Sequence, residues 1–127
     1  MRTMLITALA VTLCTIGLCR WGVSTVDEVT DEMSDRALLL MQYAETEQFE
    51  QAEEIVTIMA NEWQRALPVL GMITDHDDLH AVTECIAEGN VHLKFRNAND
   101  FYRTMALLDE ALRHLRGNED LTASNLL

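Results

Sequence analysis

The chain has 127 residues, and 21 Asp or Glu residues against nine Lys or Arg residues give it a formal net charge of −12. A chain this acidic is repelled by nucleic acid and by anionic lipid surfaces, which excludes nucleic-acid binding as its function. One proline and five glycines favour helix throughout, and three cysteines are too few for a disulfide framework. The composition therefore predicts an all-α protein held together by packing alone.

The first element is a run of seventeen uncharged residues between Arg2 and Arg20, from Thr3 to Cys19. As a helix it spans about 26 Å, slightly less than the roughly 30 Å hydrocarbon core of a bilayer. Arg20 can extend its charge towards water and Trp21 suits the interface, so residues 3–23 are predicted to contact the lipid bilayer as a transmembrane helix. A cleaved secretory signal is the first alternative, and a buried helix of a soluble protein is the second.

The same run predicts the location of the protein. Arg2 and Arg20 nearly balance across it, so the positive-inside rule does not decide the orientation. The tail before the run is very short, which makes insertion with the N-terminus inside the easier route. We therefore predict an uncleaved signal-anchor in the cell membrane, single-pass, with the C-terminal domain extracytoplasmic.

Two helices are predicted after the anchor. The first runs from about Thr25 to Glu45, and it is either continuous with the membrane helix or separated from it near Gly22. The second has the cleanest pattern in the chain, an apolar seam on alternating three- and four-residue steps, which predicts packing against partner helices. Because Pro68 removes a backbone donor, this helix is predicted to kink or stop between Leu67 and Ile73. The seam residues are Phe49, Ala52, Val56, Met59, Trp63, Ala66 and Leu70.

Two further helices complete the chain. One begins in the acidic segment around His76 and continues to about Phe95, and the last is predicted to stop at Gly117-Asn118. The apolar seam of the first is Leu79, Val82, Ile86, Gly89 and Leu93, and that of the last is Phe101, Met105, Leu108, Leu112 and Leu115. Short joints make neighbouring helices antiparallel, so the fold class is all-α: an N-terminal transmembrane helix, then a small antiparallel bundle of two helix hairpins, roughly 25–72 and 76–116. The predicted domains are an anchor (1–24), the bundle (25–116) and a C-terminal tail (117–127). A faint echo between the segments that begin at Phe49 and Phe101 suggests that the two hairpins repeat.

One candidate for chemistry lies at the start of the third helix. His76 and His80 are four residues apart, as in the His-Glu-x-x-His helix of zinc hydrolases, and Asp77 would stand in for the Glu. A third ligand would have to come from His92, Glu84 or Glu88. The simpler interpretation is that His76 and Asp77 cap the helix and that His80 is solvated. The sequence thus predicts no metal, no cofactor and no catalytic residue, with the metal site as the alternative.

The candidates for partner contact are Trp63, His76 and Asp78. A tryptophan in a helix seam is most simply a core anchor, and its functional alternative is an exposed hot spot in a groove. With seam-patterned helices and no convergent polar site, the leading hypothesis is a membrane-tethered, non-enzymatic helical module. Its predicted partner is an unknown envelope protein or a second copy of itself.

The order of these features resembles a family of small bacterial single-pass membrane proteins known as a domain of unknown function. The matching features are an N-terminal membrane segment, Trp63, His76-Asp77-Asp78-Leu79 about thirteen residues later, and an end with Glu119-Asp120-Leu121 and Asn125-Leu126-Leu127. Asp78 departs from this pattern, because a longer acid is expected there, and so does the near absence of Lys. The resemblance implies a membrane-anchored helical architecture, without catalytic residues or a cofactor.

Overall fold

The computed structural model describes the backbone of residues 1–126 and the side chains of residues 1–18, 20–21 and 26–117. Within that part of the chain every regular element is a helix, so the all-α class is confirmed. The four helices are α1 (Arg2–Glu45), α2 (Phe49–Ile73), α3 (His76–Lys94) and α4 (Ala98–Leu126).

The helices form an antiparallel bundle in which each one packs against two neighbours. Helix α1 contacts α2 and α4, helix α3 contacts α2 and α4, and over the described residues the diagonal pairs do not approach each other. This arrangement follows from the connections, because joints of two or three residues leave consecutive helices no choice but to reverse direction.

The core is built from the predicted seams. In α2 the buried residues are Ala52, Val56, Met59, Trp63 and Leu70, with Phe49 and Ala66 half-buried beside them. Helix α3 contributes Leu79, Val82, Ile86, Gly89 and Leu93. Helix α4 contributes Phe101, Met105, Leu108, Leu112 and Leu115. The three- and four-residue spacing therefore identified the inner faces of these three helices correctly.

Helix α1 continues without a break from the apolar run into the bundle, which decides the alternative that the sequence left open. Its residues from Val26 onward supply core side chains, whereas residues 1–18 are all exposed. Over the residues whose side chains are described, no helix has a stretch long and apolar enough to cross a membrane. Cys19 and residues 22–25, which belong to the predicted span or adjoin it, lie outside those residues. The transmembrane helix stays a prediction.

The C-terminal ends of α4 and α2 test two predicted helix boundaries. Helix α4 continues to Leu126, so the predicted stop at Gly117-Asn118 is wrong. A glycine ends a helix by adopting a positive φ, but Gly117 keeps ordinary helical backbone, and its cost of about 1 kcal/mol inside a helix is too small to end it. Helix α2 continues through Pro68 and ends at Ile73, within the predicted interval.

The terminal motifs of residues 119–121 and 125–127, which carry part of the predicted resemblance, lie outside the described side chains. At the start of α3 the N-cap is Asp75, whose Oδ1 accepts a 3.1 Å hydrogen bond from the amide of Asp77. This cap satisfies one of the free amides of the first turn.

The turns that close the two hairpins have the same backbone. Glu47 and Arg96 both lie in the left-handed region, with φ of 54° and 55°, and they are 49 residues apart (47 to 96). In each turn the next amide donates a 2.9 Å hydrogen bond to the carbonyl five residues before it: Gln48 to Tyr43, and Asn97 to His92. This is the usual way of ending a helix in a Schellman motif. The hairpins therefore repeat with a spacing of 49 residues.

The buried positions keep the same spacing, so the predicted internal repeat exists but in another register. Aligning Phe49 with Phe101 is wrong: Ala52 is equivalent to Phe101, and Phe49 is equivalent to Ala98. The matching phenylalanine letters were misleading because Phe49 is half-buried at the start of its helix, while Phe101 is fully buried. The equivalent buried pairs are Met33/Val82, Ala37/Ile86, Leu40/Gly89, Ala44/Leu93, Ala52/Phe101, Val56/Met105, Met59/Leu108 and Trp63/Leu112.

Candidate functional site

A groove of about 500 Å³ runs between α3 and α4 on the outside of the bundle. Its floor consists of small and apolar side chains: Ala81, Cys85, Leu107 and Ala111. Leu107 is 49% exposed although it is a large apolar residue, so part of this floor is open to water. The groove extends about 15 Å along α3 between positions 78 and 88, at 1.5 Å per residue.

The walls of the groove are acidic. They carry Asp78, Glu84 and Glu88 on α3, and Glu110 with His114 on α4. Among the described lining residues, His114 alone can become positively charged. Burial raises the pKa of the half-buried Cys85 thiol, and the negative charges of Glu88 and Glu84 raise it further. The direction of this shift indicates a negative electrostatic potential at the floor of the groove.

The equivalent position in the first hairpin is closed. Moving back by the 49-residue repeat places Arg36 at the position of Cys85 and Glu62 at the position of Ala111. Arg36 Nη1 donates a hydrogen bond to Glu62 Oε2, so the two side chains form an ion pair across α1 and α2. The hydrogen bond to Glu62 raises the pKa of Arg36 against the opposing effect of burial, and the charges of Glu62 and Glu32 add to it. One hairpin thus supplies its own cation, and the other has only small residues there.

The residues of the proposed metal motif, His76, Asp77 and His80, are exposed at the start of α3 and line one depression. His76 and His80 are exposed, and His80 Nε2 lies 2.9 Å from Glu84 Oε1 on the next turn. Both histidines line a shallow depression with Leu67 and Gly71 of α2. Nowhere among residues with described side chains do three or more His, Cys, Asp or Glu side chains gather as a metal site requires. Of the three residues predicted as a possible third ligand, Glu84 lies beside His80, whereas His92 lies about 18 Å further along the helix.

Trp63 lies in the core, where 1% of its surface is exposed. Its indole Nε1 donates a 2.8 Å hydrogen bond to Thr83 Oγ1, and that hydroxyl donates in turn to the Leu79 carbonyl at 3.0 Å. The bond joins α2 to α3 and satisfies the one polar atom of a buried tryptophan. Trp63 therefore occupies the position of a core anchor and is not at the surface. Of the three candidates for partner contact, Asp78 lines the α3–α4 groove, whereas Trp63 and His76 do not.

Sequence reasoning missed most of the groove. It considered the inner seams of the helices and left their outer faces aside. A usable signal was present, because Ala81, Cys85 and Glu88 recur at helical spacing on one side of the α3 seam. To recognise that this stripe faces a similar stripe on α4, one must know which positions of the two hairpins are equivalent. The sequence alone did not give that register.

Comparison with known protein families matches residues 20–126 to a family described as "Domain of unknown function (DUF4363)". No curated protein and no solved structure matches the chain. The predicted resemblance to an uncharacterised family is thus confirmed at that level, and the membrane anchor and the short motifs stay predictions.

Proposed function

The chain belongs to the family described as Domain of unknown function (DUF4363), and from that premise we propose that it is a membrane-tethered, non-enzymatic helical module that binds another protein of the bacterial cell envelope. The observation that carries this proposal is the contrast along α1, which supplies core side chains from Val26 onward while its first eighteen residues are all exposed. One helix thus joins a folded body to an apolar segment that the body leaves uncovered.

The tether is supported by exposure and chemistry. Large apolar side chains in this segment are 48–79% exposed between Met4 and Leu18. Contiguous apolar surface beyond a few hundred Å² is rare on soluble monomers and marks a site that something else covers. The threonines in the run satisfy their own hydroxyls by donating to the carbonyl four residues back, as Thr7, Thr12 and Thr15 do. Such internal bonds lower the cost of placing these hydroxyls in lipid.

A lipid bilayer is proposed to surround this apolar segment. Each of its seven strongly apolar residues favours insertion by about 0.3–0.6 kcal/mol, which gives about 2–4 kcal/mol in total. These residues are Leu5, Ile6, Leu9, Val11, Leu13, Ile16 and Leu18. Trp21, at the end of the run, is 58% exposed and suits the headgroup region. In the proposed orientation the acidic bundle lies on the extracytoplasmic face.

The binding role is supported by the groove between α3 and α4. Its floor of small and apolar residues and its acidic walls present a shaped surface that suits a segment of another protein. The repeat provides a scaffold for that surface, because the first hairpin has the same turn and the same register of buried residues, and an ion pair occupies its equivalent position. Binding, and not catalysis, is the role that such a surface favours.

The tether is tested by placing charge in the run. Leu9→Asp in the full-length chain should abolish membrane association, because an aspartate at the centre of a transmembrane helix costs about 2.5–3.5 kcal/mol, comparable to the total that favours insertion. The measurement is the fraction of protein that stays in membranes after an alkaline carbonate wash. Leu38→Asp makes the same change at a 44% exposed leucine of the bundle and should leave that fraction unaltered. Equal retention of the Leu9→Asp chain would contradict the tether.

A further inference from the structure

The geometry points to a specific class of partner for the α3–α4 groove: an amphipathic helix of another protein that brings an arginine or lysine to the place that Arg36 fills in the first hairpin. This inference rests on the proposed function, since it names the partner chemistry of the same surface. Two equivalent positions of the bundle carry the inference, one between α1 and α2 and the other between α3 and α4.

The two grooves differ by the residues that fill them. In the first, the guanidinium of Arg36 and the carboxylate of Glu62 span α1 and α2, and both side chains are about one-third exposed, at 27% and 36%. In the second, Cys85 and Ala111 occupy the equivalent positions and leave the space open. An arginine side chain is therefore the size and shape that this backbone accommodates at the Cys85 position.

The charge of the open groove matches an incoming cation. Glu84 and Glu88 lie one residue before and three residues after Cys85, and Glu110 lies beside Ala111 on the facing helix. In the first hairpin the hydrogen bond to Glu62 raises the pKa of the Arg36 guanidinium against the opposing effect of burial, and the charges of Glu62 and Glu32 add to it. Around Cys85, burial raises the pKa of the thiol, and the charges of Glu88 and Glu84 raise it further. The acids of the second groove thus face a position where a cation would be stabilised. The chain provides no arginine or lysine among the described lining residues; His114 lines the groove, and His80 lies beside Glu84.

The shape of the groove indicates a helix as the occupant. It runs parallel to α3 and α4 for about 15 Å, the length of three helical turns. A helix laid in such a groove makes contact through residues at positions i, i+3, i+4 and i+7. Leucines at those positions would cover Leu107 and Ala111, and flanking arginines would reach the acidic walls.

A second copy of this chain is the less favourable occupant. The chain carries 21 acidic residues against nine basic ones, and two of the basic residues, Arg2 and Arg20, flank the apolar run. Two such acidic bundles would repel each other at an acidic groove. A basic partner helix would instead be attracted to it.

The test uses the full-length chain in non-ionic detergent micelles, which present no charge to a peptide. The probe is a designed 14-residue helix with leucines at i, i+3, i+4 and i+7 and arginines on the flanks. One comparison peptide has glutamate in place of every arginine, and the other has the same composition in a scrambled order. Binding is measured by fluorescence anisotropy at 0.15 M salt, where the Debye length of about 8 Å limits attraction at long range.

The decisive variant copies the ion pair of the first hairpin into the second. Cys85→Arg with Ala111→Glu leaves the net charge unchanged, fills the groove from within, and should weaken binding of the arginine peptide by at least about tenfold, or 1.4 kcal/mol. Its thermal unfolding midpoint should not fall, because the same pair is accommodated on the equivalent backbone. Gln51→Arg with Thr57→Glu introduces the same two residues at exposed positions of α2 and should leave binding unaltered.

A second readout follows the floor of the groove directly. In a Cys14→Ser/Cys19→Ser background, Cys85 is the one remaining cysteine. A saturating amount of the arginine peptide should slow its alkylation by iodoacetamide severalfold, whereas the glutamate peptide should not. This readout reports occupation of the groove independently of affinity.

Several results would overturn the inference. They are no binding up to about 1 mM peptide, equal binding of the scrambled peptide, equal affinity of the Cys85→Arg/Ala111→Glu variant, or alkylation of Cys85 that the bound peptide does not slow. Self-association that this variant abolishes would assign the groove to a second copy. If binding fails while the chain stays in carbonate-washed membranes, only this inference is lost. Binding without membrane retention would instead contradict the tether alone.

Discussion

At the scale of single residues, Trp63 shows how one side chain links two helices. Its ring fills the core, and its indole nitrogen donates to Thr83 at 2.8 Å. Replacing Trp63 by Phe removes both the hydrogen bond and part of the packed volume. We expect the free energy of unfolding to fall by roughly 1–3 kcal/mol, measured by chemical denaturation.

A double-mutant cycle separates the hydrogen bond from the packing. Trp63→Phe and Thr83→Val together should cost less than the sum of the two single changes, with a coupling of about 0.5–1.5 kcal/mol. Thr57→Val is the matched control, because Thr57 makes the same bond to the carbonyl four residues back but is exposed on α2. Its effect should stay within about 0.5 kcal/mol. A coupling of zero would show that the bond contributes nothing to stability.

At the scale of elements, the repeated turns contain a backbone cost that can be measured. Glu47 and Arg96 both have a positive φ, which costs a residue with a Cβ about 1–2 kcal/mol and a glycine little. Glu47→Gly should therefore raise the free energy of unfolding by roughly 0.5–1 kcal/mol, after allowing for the greater freedom of glycine in the unfolded chain.

Arg96→Gly is the informative comparison, because this arginine also makes contacts. Its Nη1 lies 3.5 Å from Glu53 Oε1, and its guanidinium lies 5.2 Å from the centre of the Phe49 ring. Both contacts join the second turn to the start of α2, so the gain at Arg96 should be smaller than at Glu47 by up to about 1 kcal/mol. Equal gains at the two positions would mean that neither contact stabilises the fold.

The sequence predicted the helices correctly where a repeating apolar pattern indicated them. It was less successful where a prediction depended on a single residue. The seam of α2 and the joints at residues 46–48 and 74–75 were correct, because burial and turn chemistry act locally. Gly117 was misleading because a glycine ends a helix only when the chain needs a positive φ at that point. The repeat was first aligned on two phenylalanines, whereas its true register depends on which positions face the core.

The groove illustrates the same limit at the candidate functional site. Asp78 was singled out from the sequence and does line it, but Cys85 and Ala111 were not. Residues on the outer side of α3 do recur at helical spacing, but that spacing alone does not distinguish an open groove from ordinary surface. Their meaning appears only when Arg36 and Glu62 are seen at the equivalent positions of the first hairpin.

At the scale of the whole molecule, α1 joins two regions with opposite requirements. Up to Leu18 it is exposed and apolar, and from Val26 onward it is part of a core that is surrounded by acidic side chains. Ion pairs hold this inner part of α1 to α4, since Arg116 binds Asp31 and approaches Asp27 at 4.0 Å. The half-helix that enters the bundle should thus be needed for folding, and the outer half should not.

Two deletions test that division. Removing residues 1–20 should change the free energy of unfolding by less than about 1 kcal/mol, because the described residues of that segment bury nothing in the bundle. Removing residues 1–33 also takes away Val26, Thr30 and Met33, which are at most 2% exposed, and it should cost at least about 4 kcal/mol or prevent folding. Both chains and the full-length protein are compared by denaturation in the same non-ionic micelles. A large loss on removing residues 1–20 would place part of the apolar run inside the fold, and the run would then serve the bundle before it served any membrane.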